Sequence, residues 1–445
     1  MAAMLPQRAT GFVAQEAHPA FPRVHRTSRR QHRSCIKHAA AQQVHTSAPP
    51  RIFADFPALP SRMVAAEARS ATPHSGGKAR WDILGLAQAM VDFTASVPEA
   101  LLSEAPFSVA KGARRVITLQ ERHKIMQELD THGCESQVSP GGSLANTLVA
   151  ISRLSAAHKA PMQTAIAGCV GSDTLGSYFN AQLKQAGVQV LVDPDNTSHT
   201  GTVMVLTTPD AQRSFLSFFD SGKLYMTQSI ANAIIASSMV VIEGYMLELP
   251  GAHCWLPEVI SLARAHGVQV ALTAGDPGVV QRHRIALQSL LDAGVVDLLF
   301  CNREEACELL GGQTLEDARC AGASAAVALG RQAEVVVVTD GPRGAFICSR
   351  GVVHEVPPHW TPHGPVDVCG AGDAYAAGIL YAHLQGYDLP TAGNFAAKVA
   401  AAVIGRHGAQ LAEEDADQLV AGLPDHVPLP LYWSAAKWEH GVSAM

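Results

Sequence analysis

The chain has 445 residues, 47% of them hydrophobic, and its nine scattered cysteines form no C-x-x-C pair, which favours a reducing compartment. Its net charge of −6 is unevenly divided, because residues 1–75 carry ten Arg and Lys against three acids and leave −13 on the remainder. An acidic body argues against a nucleic-acid-binding surface, and no apolar run reaches the ~18 residues that a membrane span requires.

Residues 1–75 have the composition of an organellar targeting segment. They are rich in Arg, Ala, Ser and Gln, poor in acids, and lack the compact apolar core of a secretory signal. We predict a transit peptide here, for a chloroplast rather than a mitochondrion because the segment is long and alanine-rich; a disordered cytosolic extension is the alternative. Residues 73–77 read as a linker. The folded domain is predicted over 76–430 and a C-terminal tail over 431–445.

From residue 81 onward, short β-rich runs alternate with helical patterns. The predicted strands are 82–86, 164–167, 202–206, 239–242, 268–272, 296–301, 335–339 and 345–348. The predicted helices are 119–129, 144–154, 175–185, 255–265, 279–291, 315–329 and 374–384. This repetition predicts an α/β fold with a mostly parallel sheet and right-handed crossovers. Residues 200–225 instead read as consecutive strand pieces around Thr208-Pro209-Asp210, which predicts a hairpin.

Two glycine motifs open apolar helices. The first is Gly141-Gly142-Ser143-Leu144-Ala145-Asn146, and the second is Cys369-Gly370-Ala371-Gly372-Asp373. The second motif lets successive N–H groups converge at a helix N-terminus, which favours a phosphate or a developing oxyanion. Asp373 beside this positive end is expected to remain ionised and to accept a proton from an attacking hydroxyl. An ordinary glycine-rich helix start, with Asp373 as a dipole partner, is the alternative.

Two common nucleotide-binding motifs are missing from the sequence. It contains no G-x-x-x-x-G-K-[ST], and no G-x-G-x-x-G follows the first predicted strand. A phosphate bound on this scaffold must therefore be neutralised by backbone N–H groups, a helix terminus and Mg²⁺.

The two glycine motifs, in this order and about 230 residues apart, resemble the paired signatures of the ribokinase/PfkB family of sugar and nucleoside kinases. The resemblance covers roughly residues 81–425, and residues 200–203 and 209–213 look most like the adenosine-kinase-like branch. It implies a ribokinase-like α/β fold with a central, mostly parallel sheet flanked by helices. It also implies a small β-lid over the substrate, formed here around residues 200–225.

The activity that the resemblance implies is phosphoryl transfer from ATP, with Mg²⁺, to a hydroxymethyl group of a nucleoside or sugar. The implied catalytic residues are Asp373, Gly370, Ala371 and Gly372. The implied acceptor-binding residues are Asp92, Gly141, Gly142 and Asn146. A carboxylate such as Asp92 can accept two hydrogen bonds from a vicinal diol. Taken alone, Asp92 would also read as a turn or helix-capping residue.

The resemblance also implies a nucleotide side of the site. The implied nucleotide-binding residues are Asn302, Thr339, Gly341, Gly344 and Arg213, and the implied magnesium residue is Glu305. The run Asn302-Arg303-Glu304-Glu305 matches an N-x-x-E element in which the last carboxylate organises Mg²⁺ and its waters. By itself this run is also an ordinary acidic helix start. Arg213 could equally be a solvated surface arginine.

Three questions stay open from the sequence. The acceptor is an adenosine-like nucleoside or a sugar of the ribose or fructose type, and the sequence does not show which of Phe215, Phe218 or Phe219 faces it. A catalytically silent scaffold subunit is a further alternative, although such a protein is expected to lose residues such as Asp373. Cys369 stands where a polar residue is usual, which suggests tuning rather than inactivation. The partners expected are the acceptor and ATP, in a monomer or homodimer.

Overall fold

The computed structural model describes residues 80–424 except for 159–160, 192–194, 196, 211, 221–223, 225, 313–320 and 362–363. The transit peptide, the linker and the C-terminal tail predicted from the sequence lie outside the described residues, as does the first part of the helix predicted over 315–329. Within the described ranges, no helix is long and apolar enough to cross a membrane.

The described elements alternate between strand and helix for most of the chain. The strands are β1 (Trp81–Gln88), β2 (Met90–Ser96), β3 (Arg114–Val116), β4 (Ser136–Gly141), β5 (Thr164–Cys169), β6 (Gln189–Val190), β7 (Gly201–Thr207), β8 (Arg213–Phe218), β9 (Ser237–Glu243), β10 (Gln269–Thr273), β11 (Leu298–Asn302), β12 (Val335–Thr339), β13 (Ala345–Ser349) and β14 (Val352–Val356). The helices are α1 (Glu99–Ser103), α2 (Leu119–Thr131), α3 (Ser143–Ala156), α4 (Thr174–Gln185), α5 (Gln228–Ile235), α6 (Ala252–Ala265), α7 (Pro277–Asp292), α8 (Arg303–Leu309), α9 (Ala321–Leu329), α10 (Ala371–Leu384), α11 (Leu389–Ile404) and α12 (Glu413–Ala421). Short 3₁₀ turns lie at Gly244–Glu248 and Gly341–Arg343.

The larger sheet has nine strands in the order β14-β13-β12-β11-β10-β9-β1-β5-β6. Its strands are parallel except for β13 and β14, which run antiparallel to their neighbours. Strand β12 shows why a mostly parallel sheet forms here. Val335 and Val337 join the apolar cluster on one face, while Val336 and Val338 join the cluster on the other. A strand that is apolar on both faces must be covered by helices on both sides. The mostly parallel α/β sheet predicted from the sequence is confirmed.

The smaller sheet has five strands in the order β3-β8-β7-β2-β4 and forms the expected small β-lid. Its β7 and β8 are an antiparallel pair, as the hairpin pattern around Thr208 predicts. The sheet is larger than that hairpin, because β2, β3 and β4 join it from earlier in the chain. Helix α2 packs against the sheet through Arg122, whose guanidinium donates to the Thr200 carbonyl and lies over the ring of Phe218.

Polar side chains end the central parallel strands at one edge of the larger sheet. Gln88 ends β1, Glu243 ends β9, Thr273 ends β10, Asn302 ends β11 and Thr339 ends β12. Because the carboxyl ends of parallel strands lie on the same side, this edge is where an open α/β sheet binds its ligands. Cavities lined by these five residues lie there.

Helix α10 carries the second glycine motif and is buried along most of its length. It packs against α3 and α11. At Gly378, a Cβ atom would lie only 2.5 Å from the Cα of Ala396 in α11, whereas a Cβ on Gly372 would meet nothing within 4 Å. The absence of a side chain at Gly378 therefore lets two helices approach closely, and the absence at Gly372 leaves open space.

We predict that Gly378→Ala lowers the free energy of unfolding by about 1–3 kcal/mol, because the added methyl must displace the backbone of α11. This loss should outweigh the roughly 1 kcal/mol by which alanine favours a helix interior over glycine. Gly372→Ala in the same helix is the matched control and should be as stable as the parent or slightly more so. Equilibrium urea denaturation measures both. Equal stabilities of the two variants would contradict the packing described at Gly378.

Candidate active site

The two glycine motifs meet at the first turns of α3 and α10. The Ser143 hydroxyl donates to Asp373 Oδ1 at 2.6 Å, and Asn146 Nδ2 donates to Asp373 Oδ2 at 3.0 Å. The Thr147 hydroxyl donates to the main-chain oxygen of Asp373 at 3.2 Å. The two motifs that the sequence singled out therefore lie together in the fold, although the hydrogen-bonded residues Ser143 and Asp373 are 230 positions apart.

The glycines of the two motifs are required for different structural reasons, which are backbone conformation at some positions and space for a neighbouring group at others. Gly370 has φ +74°, and a Cβ there would lie 2.4 Å from the Ala409 carbonyl oxygen. Gly142 precedes α3 with φ +91°. Gly141 has no such strain, but a Cβ on it would lie 2.1 Å from Asp92 Oδ1, so its lack of a side chain makes room for that carboxylate. At Gly372 the open space in front of the helix is available to a ligand.

A cavity of about 170 Å³ lies between the β-lid and the edge of the larger sheet. Its polar lining residues are Gln88, Asp92, Arg114, Ser143, Asn146, Glu243, Tyr245 and Asp373. Its apolar lining includes Met90, Val203, Val205, Phe215 and Phe219 from or beside the lid strands. We call this the acceptor cavity. Of the three phenylalanines left open by the sequence, Phe215 and Phe219 line it.

Asp92 lies within strand β2 of the lid rather than in a turn or at a helix start. Burial raises its pKa to about 7, the charge of Asp373 adds to the rise, and Arg114 opposes it. Its Oδ1 is buried without a hydrogen-bond partner among the described residues. The same holds for Oδ1 of Asn146, whose side chain is 5% exposed. Two buried oxygen acceptors in the wall of one cavity call for a ligand that donates hydrogen bonds.

Asp373 is half-buried, and burial raises the pKa of its carboxyl, while the hydrogen bonds from Ser143 and Asn146 act to lower it. The sequence suggested that the helix N-terminus alone would keep this carboxylate ionised. In the structure the two side-chain donors of α3 oppose the desolvation directly. Burial is nevertheless the larger effect, so the pKa of Asp373 is raised in the fold, and the helix N-terminus does not hold it low as the sequence suggested.

Glu243 is a site residue that the sequence analysis did not name. It ends β9, is 3% exposed, and its Oε1 accepts the Leu144 backbone N–H at 3.2 Å. Burial raises its pKa to about 7. One signal could have identified it: a carboxylate follows the buried run 239–242 directly, at the end of a predicted parallel strand. Asp92, Glu243 and Asp373 thus face one cavity, where a proton or a cation stabilises them together.

Arg114 was also missed, and it ties the lid to the larger sheet. Arg114 is the first residue of β3, and its guanidinium donates to the Tyr245 hydroxyl at 2.8 Å and to the Asp276 carboxylate. Arg114 and Tyr245 line the acceptor cavity together with a second chamber of about 230 Å³, which they share with Gln88 and Phe219. The acceptor cavity therefore continues into an outer chamber past two aromatic rings.

The predicted nucleotide loop lines a larger, mostly apolar cavity of about 440 Å³ on the other side of α10. Thr339, Gly341 and Gly344 contribute to it, together with Trp360 and Tyr375. Gly344 cannot carry a side chain, because a Cβ there would lie 2.1 Å from the Val356 carbonyl oxygen. Apolar walls over most of this space suit a flat ring better than phosphates. We call it the ring cavity.

A third, narrow cavity of about 100 Å³ connects the two larger ones and is lined by Asn302, Glu305, Gly372 and Asp373. Asn302 and Glu305 form a reciprocal cap at the start of α8, in which Asn302 Oδ1 accepts the Glu305 N–H at 2.8 Å and Glu305 Oε2 accepts the Asn302 N–H at 2.9 Å. Asn302 Nδ2 also donates to Glu305 Oε1 at 2.7 Å. Burial raises the pKa of Glu305 to about 7. This pair therefore caps α8 and borders the narrow cavity at the same time.

The described residues contain no group of three or more His, Cys, Asp and Glu able to hold a metal by themselves. Mg²⁺ keeps several waters and takes few protein ligands beside substrate phosphates. Glu305, the residue expected to organise Mg²⁺, reaches the narrow cavity with its carboxylate already hydrogen-bonded to Asn302. The donor set thus fits a metal held through waters.

Arg213 of the lid is not a solvated surface arginine, since its side chain is 17% exposed. It donates to the Asp367 carboxylate and to the Cys369 sulfur, just before the second glycine motif. Asp367 also accepts the backbone N–H groups of Cys369 and Gly408, at 2.8 and 3.0 Å. Burial raises the pKa of the Cys369 thiol to about 11, so it stays protonated. Arg213 therefore orders the loop that leads into the anion-binding turn.

The N-terminus of α10 is the point where the three cavities meet. Asp373 and Ser143 border both the acceptor cavity and the narrow cavity, while Gly372, Thr339 and Tyr375 border both the narrow cavity and the ring cavity. A group that passes from the ring cavity to the acceptor cavity crosses this N-terminus, where the positive end of the helix dipole favours negative charge.

Comparison with known proteins agrees with this geometry. The model of the pfkB family carbohydrate kinases matches residues 108–416, which contain both glycine motifs. A nucleoside kinase from Methanothermobacter thermautotrophicus is 29% identical over 289 residues, covering 63% of this chain and 83% of the relative. The structure of an adenosine kinase from Sinorhizobium meliloti aligns with a TM-score of 0.64 and 27% identity, over 75% of this chain and 96% of its own.

A probable sugar kinase from Rhizobium etli aligns with a TM-score of 0.66 and 25% identity, over 78% of this chain and all of its own. Each of these two resemblances covers nearly the whole length of the solved structure. The ribokinase-like fold is thereby confirmed. The chain belongs to the pfkB family of carbohydrate kinases, and it is a sugar or nucleoside kinase that phosphorylates an alcohol group.

Proposed function

We propose that this kinase uses ATP and Mg²⁺ to phosphorylate the hydroxymethyl group of a nucleoside, adenosine-like in its overall form. The observation that carries the proposal is the continuation of the acceptor cavity into the outer chamber. A sugar alone fits the inner, polar part. The outer chamber leaves room for a group attached to the sugar, and Phe219 and Tyr245 between the two offer aromatic surface to a base.

The polar part of the acceptor cavity supports binding of a sugar diol. The unpaired oxygens of Asp92 and Asn146 can each accept a hydrogen bond from a hydroxyl. Without such donors their burial costs free energy, so a ligand that supplies them is favoured over one that does not. An acceptor held this way presents its primary hydroxyl toward Asp373, which lies in the same wall.

Asp373 is the proposed general base. It takes the proton of the attacking hydroxyl, and Ser143 and Asn146 hold its two oxygens while it does so. The backbone N–H groups of Gly370, Ala371 and Gly372 stabilise the charge that develops on the phosphoryl group as it crosses the narrow cavity. The ring cavity suits the base of ATP.

Mg²⁺, when bound, offsets the negative charge of the phosphates. Asn302 and Glu305 are the residues of this chain that would hold its waters, because both border the narrow cavity. The lid keeps bulk water from the site. It is tied to the larger sheet through Arg114 and Asp276, and to the loop before α10 through Arg213 and Asp367.

We predict that Asp373→Asn lowers turnover by about 10²–10⁴-fold and leaves folding nearly intact, because the amide keeps the shape of the carboxylate but cannot take the proton. ADP release by purified protein with Mg-ATP measures this against adenosine, other nucleosides, ribose and fructose.

Turnover with a nucleoside in preference to a free sugar supports the proposal. Preference for ribose or fructose would assign a sugar kinase, and no turnover with any acceptor by folded protein would favour a scaffold.

We predict that Gly372→Ala lowers kcat/KM for ATP by at least about tenfold, since a new methyl would occupy the open space where the phosphates must approach the helix. Folding should be unaffected, so the loss is specific to function. Gly378→Ala is the complementary variant, with lower stability and nearly unchanged kcat/KM at a temperature where it is folded. Wild-type ATP kinetics in Gly372→Ala would exclude this N-terminus as the phosphate site.

A further inference from the structure

Three side chains on one face of α3 hold Asp373. Ser143, Asn146 and Thr147 occupy positions i, i+3 and i+4, which lie next to one another on a helix. Their hydrogen bonds reach both carboxylate oxygens and the main-chain oxygen of Asp373. The Thr147 hydroxyl also lies 3.1 Å from the Ser143 carbonyl oxygen, so its proton is shared between the two helices. We call this group the α3 clamp.

The α3 clamp fixes the plane of the Asp373 carboxylate. One donor at each oxygen prevents rotation about the last side-chain bond, because a turn in either direction breaks both hydrogen bonds. Each oxygen keeps acceptor capacity for a further donor, so an attacking hydroxyl can still bind. The 2.6 Å bond from Ser143 is the shorter of the two and is a charge-assisted contact.

Asn146 connects the clamp to the acceptor. An ionised carboxylate only accepts hydrogen bonds, so the amide must turn its NH₂ group toward Asp373, and its Oδ1 must point elsewhere. That oxygen is buried and unpaired among the described residues, and Asn146 lines the acceptor cavity. A hydroxyl that donates to Oδ1 therefore holds the amide in the orientation that holds Asp373.

We propose that Ser143 is a positioning residue for the catalytic base and that, together with Asn146, it holds the carboxylate of Asp373 in one orientation. The inference rests on the proposed function in one respect, the role of Asp373 as general base. Ser143 takes no proton from the acceptor itself. It acts through the carboxylate that it holds, and Glu243 supports it by accepting the N–H of the next residue, Leu144.

A double-mutant cycle tests this inference with purified protein at saturating ATP and acceptor. Ser143→Ala should lower kcat by about tenfold or more, since a hydrogen bond to a charged group is lost, while the acceptor KM changes less than about threefold. In the Asp373→Asn background the same substitution should change the residual rate less than about twofold, because no carboxylate remains to be positioned. Ser143→Thr keeps the hydroxyl and should restore most of the rate.

Ser289→Ala on α7 is the matched control, since its hydroxyl bonds only within its own helix to the Ile285 carbonyl, and it should leave kcat unchanged. An equal loss from Ser143→Ala in both backgrounds, or no loss in either, would overturn the positioning role while leaving the proposed function standing. Full activity of Asp373→Asn alone would overturn the base assignment itself, and this inference with it. The two failures are therefore separate in the data.

The pH profile gives an independent readout. The charged and titratable groups around Asp373 are Asp92 on β2, Arg114 on β3, Glu243 on β9 and Glu305 on α8. None of these receives a hydrogen bond from Ser143 in the structure as described. Ser143→Ala should therefore move the acid limb of the pH profile of kcat to higher pH by about one unit. The ionised Asp373 carboxylate loses a hydrogen-bond donor, which raises the pKa of that carboxyl. An unmoved limb with a lowered kcat would argue against this part of the role.

Discussion

The hydrogen bonds between the first turns of α3 and α10 are the contacts on which the site depends. They join a segment that lines the acceptor cavity to the helix N-terminus that faces the ring cavity. Helix α3 follows β4 of the smaller sheet and α10 follows β14 of the larger one, so the contact between the two helix starts joins the two sheets. Gly142 and Gly370 enter these helices with positive φ, which glycine adopts readily. The carboxylate of Asp373 then lies where sugar and phosphate must meet.

Much of this arrangement was predictable because the relevant signals are local. The run Val335–Val338 alternates between two apolar clusters, and such a strand belongs in the middle of a covered parallel sheet. The segment that follows such a strand lies at the ligand edge, which is why the loop from Thr339 was expected there. The glycines and Asp373 predicted an anion-binding helix start from chemistry alone.

The parts that were missed depend on contacts between distant segments. Strands β3 and β4 are short or largely exposed, and β2 follows β1 after one residue, so no separate pattern in the sequence indicates the lid sheet that they join. Arg114 and Glu243 become site residues only when the lid meets the larger sheet. The desolvation of the Asp373 carboxyl could not be predicted either. The glycine motif indicates the helix dipole, which favours the charged form, but not the burial that opposes it.

The most direct test of the account is a crystal structure of the protein with a nucleoside and a non-hydrolysable ATP analogue. We expect the nucleoside sugar in the acceptor cavity, with its primary hydroxyl oxygen about 2.6–3.2 Å from a carboxylate oxygen of Asp373. We also expect the terminal phosphate against the N–H groups of Gly370–Gly372, with the ATP base in the ring cavity. A hydroxyl outside reach of Asp373, or phosphates bound away from the N-terminus of α10, would contradict the account.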